Sequence, residues 1–313
     1  MAMPAMCYLQ YFPWRHDQSM GLDHQSASLS CALAEAYYLA RTLILPDVIC
    51  ITANHTGDWK VNAHAVPEAR ATPQGLPPER AFMPCMPDEQ EVPIEQIFDL
   101  QLLNKLVGVV RQSELASSAL DGMASKVVDW HWTSSRVHAR CGCESTPLLF
   151  RRATNSWFRS CSAGVVNTSA ILLRLQAKGH GYESVPPMVE HLLKSGLFFA
   201  PQLKAAAAAI RSRLGTDYST IHVRRGDRMV QYGMDANLSK PNALLHAMAA
   251  WFPARSAVYI GTDERNATDF FAPLQAHRPI FLASNVSAIM RAHGASNNYA
   301  LYAVERCATP TTS

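Results

Sequence analysis

An α/β fold of two Rossmann-like domains is predicted by three features of the 313-residue sequence. Near the amino terminus a strand-like run, a polar loop, a helix-periodic run and a second apolar run follow one another, as in a βαβ unit. Between residues 202 and 283, helical and β-rich segments alternate, the pattern of a parallel sheet covered by helices. Val185-Pro186-Pro187 reads as a hinge between these regions, so the domains are expected at 1–185 and 186–313, with a cleft between them.

Taken in order, Met6 to Phe12 (MCYLQYF) has strand composition, and Pro13 to Leu22 is a polar loop. Leu29, Leu33, Ala36, Tyr37 and Ala40 recur at helical spacing behind Asp23 as N-cap, and Arg41 to Leu45 reads as a strand stopped by Pro46. That helix starts beyond the first strand's carboxyl end, where its unpaired N–H groups can meet an anion. Residues 53–95, rich in Pro, Asp, Glu and Gly, read as loops. Ile94, Ile97, Leu100, Leu103, Leu106 and Val110 predict a helix over 93–110, whereas 127–161 has no usable period. Val189 to Phe199 predicts a short apolar helix, and Gln202 to Leu214, with its alanine run, a second. After a central strand at 219–223 and a loop from Arg228 to Lys240 comes a helix capped by Ser239, with Pro241 in its first turn. Strands are expected at Ala257 to Thr262 and Pro279 to Ala283.

Composition narrows the class. With 48% hydrophobic and 17% charged residues the chain can bury two cores, and a net charge of +3 without a basic run does not call for nucleic acid. No apolar run of 18 residues suggests a membrane anchor, and the first twenty residues show no signal-peptide core. Yet five of eleven asparagines, Asn54, Asn167, Asn237, Asn266 and Asn285, begin N-x-S/T triplets, which favours a secretory lumen where disulfides also form.

The most informative stretch is Ser219 to Asp227 (STIHVRRGD). Thr220, Ile221 and Val223 make a strand that delivers His222, Arg224 and Arg225 to its carboxyl end, where open α/β sheets bind ligands. Guanidinium forks match phosphate oxygens, and Gly226 lets the backbone come close, so a diphosphate site is expected. Alternation places the two arginines on opposite faces, leaving one of them free for a structural role.

These residues resemble the first signature, H-x-R-R-G-D, of the plant and algal branch of the GDP-fucose protein O-fucosyltransferase family. Gly21 to Pro46 (GLDHQSASLSCALAEAYYLARTLILP) resembles that family's amino-terminal segment, and Tyr259 to Glu264 (YIGTDE) with Phe270, Phe271, Pro273 and Leu274 its second signature. Trp157 to Cys161 and Tyr299 to Glu305 are weaker echoes. The resemblance implies a GT-B-like pair of Rossmann-like domains, with the acceptor on 1–185 and GDP-fucose on 186–313. It implies inverting, metal-independent transfer of fucose to a hydroxyl of a protein or glycan, without cofactor, in the Golgi or endoplasmic reticulum lumen.

Residue by residue, the resemblance assigns Arg224 to the diphosphate with Arg225 in support, His222 to the base or ribose, and Thr262 and Asp263 to the nucleotide, Asp263 as guanine acceptor. Gly21, His24 and Gln25 would hold the sugar-phosphate, and Asp23 or His24 would be general base. A capped helix start and a turn with an Asx cap are the plain alternatives for these two loops. His131, His138, Cys141, Cys143 and Cys161 lack the spacing of common zinc sites, and no D-x-D sequence is present to hold a metal on the diphosphate. The chain stops at Ser313, before the Ser/Thr-rich third signature of the relatives, which puts turnover in question. The alternatives are therefore another donor, such as UDP-rhamnose, or a catalytically inactive nucleotide-binding relative.

Overall fold

The computed structural model describes residues 7–12, 21–52, 85, 89–115, 123, 125–130, 147–153, 198–215, 217–225, 236–254, 256–264, 266–295, 300 and 302–305. The chain divides into two compact units, Met1–Ala200 and Pro201–Ser313, so the fold is α/β with a parallel sheet in each unit. The expected hinge at Val185-Pro186-Pro187 lies outside the described residues.

In the first unit five strands form one all-parallel sheet: β1 (Tyr8–Phe12), β2 (Thr42–Leu45), β5 (Val109–Arg111), β6 (Ser125–Trp130) and β7 (Leu148–Ala153), in the order β5-β2-β1-β7-β6. Helix α1 (Leu22–Leu39) carries the chain from β1 to β2, burying Leu29, Leu33 and Ala36 at helical spacing. Its N-cap position is Gly21, not Asp23, so the helix starts earlier than the apolar period announces, and Asp23 and His24 fall in its first turn. The helix ends on Ala40 in a left-handed conformation, φ 51°. Buried Arg41 then ties the strands together, donating to the carbonyls of Tyr8 (3.0 Å) and Pro147 (3.3 Å).

Two further expectations in this unit are corrected. Part of 53–95 is not loop: β3 (Val48–Thr52) pairs antiparallel with β4 (Glu89–Pro93), and a Cys50–Cys85 disulfide closes the segment between them. The single helix over 93–110 breaks into a 3-10 turn at Ile94–Gln96 and α2 (Leu100–Val107). Asp99 causes the restart, since its carboxylate accepts from the Leu102 N–H at 2.9 Å as N-cap. β6 and β7 arise from the stretch that showed no period.

The second unit follows its prediction more closely. α3 (Pro201–Leu214), β8 (Tyr218–Val223), α4 (Pro241–Trp251), β9 (Ala257–Thr262), α5 (Ala267–Gln275), β10 (Ile280–Phe281) and α6 (Ala283–Ala292) alternate, and the parallel sheet runs β10-β9-β8. Pro241 opens α4, but Ser239 does not cap it; the N-cap position is Lys240. One sheet face, with Val223, Val258 and Ile260, packs under Leu244, Met248, Phe271 and Leu274 of α4 and α5. The opposite face of β8 and β9 carries His222, Tyr259 and Gly261.

Candidate functional site

In the second unit the parallel register places His222 beside Gly261 and Val223 beside Thr262, so residues 222–225 and 262–264 leave the sheet together at its carboxyl edge. Thr262 braces the edge: its hydroxyl donates to the Val223 carbonyl (2.7 Å) and accepts from the Glu264 N–H (3.0 Å). Asp263 reaches back across the strands, where Oδ1 accepts from the Arg225 N–H at 2.5 Å. The second carboxylate oxygen of Asp263, Oδ2, is shielded from water and accepts no hydrogen bond among the described residues. Leaving an acceptor in that state costs roughly 1–3 kcal/mol, so a donor belongs there.

The two arginines divide as strand alternation allows. Arg225 takes the face of Val223, where its Nε donates to Glu264 Oε2 (2.7 Å) and an NH group to the Ser239 hydroxyl (2.8 Å), while the guanidinium lies 3.9 Å over the Phe270 ring. With its side chain 17% exposed and that of Glu264 21%, this is a half-dry ion pair with an aromatic lid. Arg225 therefore locks the ends of β8 and β9 to α5 and supports the site from behind. Arg224, half-buried, shares the His222 side of the strand by alternation. His222 is exposed, and its Nδ1 would lie 3.4 Å from a Cβ on Gly261 beside it.

Beside this edge a pocket of about 210 Å³ is lined by Thr262, Glu264, Asn266, Leu282 and Ser284. It is smaller than the roughly 300–1,000 Å³ of ordinary small-molecule sites.

Sequence reading missed Glu305 and Tyr259 as partners. The Tyr259 hydroxyl donates to Glu305 Oε1 at 2.9 Å, and burial pushes the Glu305 carboxyl up to about 7, a shift this hydrogen bond partly offsets. Burial first, and the Glu305 charge second, hold the Tyr259 hydroxyl well above the usual tyrosine range. Only the weak echo at Tyr299 to Glu305 hinted at this contact.

In the first unit, Gly21 is buried at the entry to α1, and its carbonyl accepts from the Gln25 N–H at 3.3 Å. Gln25 is committed to the fold, donating from Nε2 to the Cys50 carbonyl at 2.8 Å and so pinning α1 to β3. Asp23 and His24 occupy the first turn of α1; their side chains lie outside the described residues. His131, His138, Cys141, Cys143 and Cys161 also lie outside them, as does Gly226. The described cluster of potential ligands, Cys50, Cys85 and Glu89, has both sulfurs in the disulfide and so offers a metal no thiolate. The described sequon asparagines Asn237, Asn266 and Asn285 are all exposed, and no described helix is long and apolar enough to cross a membrane.

No protein-family model matches the chain, and no curated protein matches it. Among solved structures the chain is similar to POFUT1 in complex with GDP-fucose (12% identity, 100% of this chain and 97% of that chain, TM-score 0.47). It is similar also to POFUT1 in complex with GDP (12%, 100% and 97%, TM-score 0.49) and to the fucosyltransferase NodZ from Bradyrhizobium (14%, 97% and 93%, TM-score 0.40).

Proposed function

We propose that this chain is a glycosyltransferase whose second unit captures GDP-fucose and which transfers fucose, with inversion and without a metal, to a hydroxyl of a protein or glycan. The observation that carries the reading is that His222, Arg224 and Asp263 leave the sheet at one edge, with Asp263 Oδ2 buried and accepting no hydrogen bond among the described residues. Guanine carries two adjacent donors on one edge, N1–H and the exocyclic amine, either of which could serve Oδ2, and neither adenine nor uracil reproduces that pair. His222 would meet the base or ribose.

Arg224 would neutralise the diphosphate, each charged hydrogen bond contributing about 1.5–3 kcal/mol and more as charge builds on the leaving GDP. Since Arg225 is spent on Glu264, its contribution is to hold the edge rigid. In the transfer step the acceptor oxygen bonds to the anomeric carbon while the bond from that carbon to the diphosphate oxygen breaks. GDP departs with the electron pair, and the acceptor proton would pass to a general base, the role proposed for His24 or Asp23.

Binding measured by thermal shift and calorimetry tests this. GDP should protect the protein and UDP should not, and Arg224→Ala should weaken GDP at least tenfold, about 1.4 kcal/mol. Unchanged GDP affinity in Arg224→Ala removes that residue from the site, and preference for UDP rejects fucose as the sugar. Tight GDP binding with neither transfer nor donor hydrolysis would make the chain a nucleotide-binding protein rather than an enzyme.

A further inference from the structure

Glu305 belongs to the last described helical segment, 302–305, yet its carboxyl stands against the sheet edge described above. While Oε1 takes the Tyr259 hydroxyl, Oε2 fronts Gly261: a Cβ on that glycine would stand 3.1 Å from Glu305 Oε2 and 3.4 Å from His222 Nδ1. Gly261 and His222 are register partners, and the missing side chain of Gly261 leaves a space, tighter than a methyl needs, that the carboxyl and the imidazole edge both border. Tyr259, 3% exposed, holds the carboxyl there through its hydroxyl.

We infer that Glu305 is a positioning residue which, across the gap at Gly261, holds the His222 proton on Nδ1 and so presents Nε2 as a hydrogen-bond acceptor to the nucleotide. The inference deepens the proposed function and rests on His222 as a nucleotide contact. A carboxylate beside one ring nitrogen favours the tautomer protonated there and fixes what the other nitrogen offers. Tyr259 from β9, which stays protonated, donates to Glu305, and His222 from β8 borders the same position at Gly261. Burial places the Glu305 carboxyl at about 7, so the preference it imposes on His222 is strongest above neutrality and fades on acidification.

The test is imidazole 15N–1H correlation spectroscopy on the whole, nucleotide-free protein, with His222 identified by loss of its signals in His222→Gln. Above neutrality the wild type should show His222 protonated on Nδ1, and Glu305→Gln should return the ring to the Nε2–H form favoured by free imidazole. Glu305→Gln should also lower the His222 midpoint, the direction expected on removing a nearby opposite charge. Tyr259→Phe, which keeps the carboxylate, should leave the His222 tautomer as in the wild type, a result that a merely structural role for Glu305 would not predict. Gly261→Ala, which inserts a methyl between the two groups, should reproduce the tautomer change, and it decides the matter should Glu305→Gln not fold. An unchanged tautomer and midpoint in the folded variant overturns the inference. With no nucleotide present, that outcome is separate from failure of the GDP reading, which a GDP titration of the wild type decides.

Discussion

Arg225→Met should destabilise the second unit without making or breaking any covalent bond, and the size of the loss follows from what the guanidinium touches. The charged hydrogen bond to Glu264, at 2.7 Å between side chains four-fifths covered, accounts for about 1.5–3 kcal/mol. The contact over Phe270 at 3.9 Å adds about 0.5–1 kcal/mol, and the bond to the Ser239 hydroxyl a similar amount. Methionine keeps most of the aliphatic packing and so returns part of this. Glu264 loses its cation but keeps a 3.3 Å bond from the Asn266 N–H, which spares it the full penalty of a buried lone charge. A net loss of about 2–4 kcal/mol results. Because a two-unit chain need not unfold in one step, the assay is native-state hydrogen exchange of the Val223 and Ile260 amides. Removing both charges, in Arg225→Met with Glu264→Met, should recover much of the loss, with a coupling energy of about 1.5–3 kcal/mol. A single-variant loss below about 1 kcal/mol, or effects that add within about 0.5 kcal/mol, would show that Arg225 is not the brace described and is available to a ligand.

Two other perturbations read different parts of the molecule. Cys50→Ser opens a cross-link spanning 35 residues and should lower the stability of the first unit by roughly 2–4 kcal/mol, with the β3 and β4 amides exchanging fastest; unchanged protection would mean that the antiparallel pair holds itself. Glu305 makes stability depend on pH. Its folded carboxyl titrates at about 7 against an ordinary 4.5, so the folded chain binds the extra proton between those values. This contribution is fully present below about 4.5 and is lost as pH rises through about 7. Urea midpoints of the wild type should therefore fall across that window relative to Glu305→Gln, and parallel curves would place the carboxyl in water.

How much was legible in the sequence depends on the distance over which each feature is decided. Leu29, Leu33 and Ala36 reveal α1 because one face of a helix is buried as a stripe, and the alternation of 202–283 reveals a parallel sheet because each crossover needs a helix. The start of α1 at Gly21 and the break before α2 were misread since helix ends are set by caps such as Asp99, one side chain each, against many residues of apolar period. β6 and β7 were invisible because 127–161 shows no usable two-residue alternation, which the strands of a parallel sheet need not show.

The residues themselves determined the α/β class, the βαβ opening and the strand that brings His222, Arg224 and Arg225 to a sheet edge, because each is a local pattern of shape and polarity. Tertiary structure alone decided that Arg225 pairs with Glu264, 39 residues away, and that Tyr259 bonds to Glu305, 46 residues away. Charge partners at such separations are chosen by strand register and packing, and neither is written in any single stretch of chain.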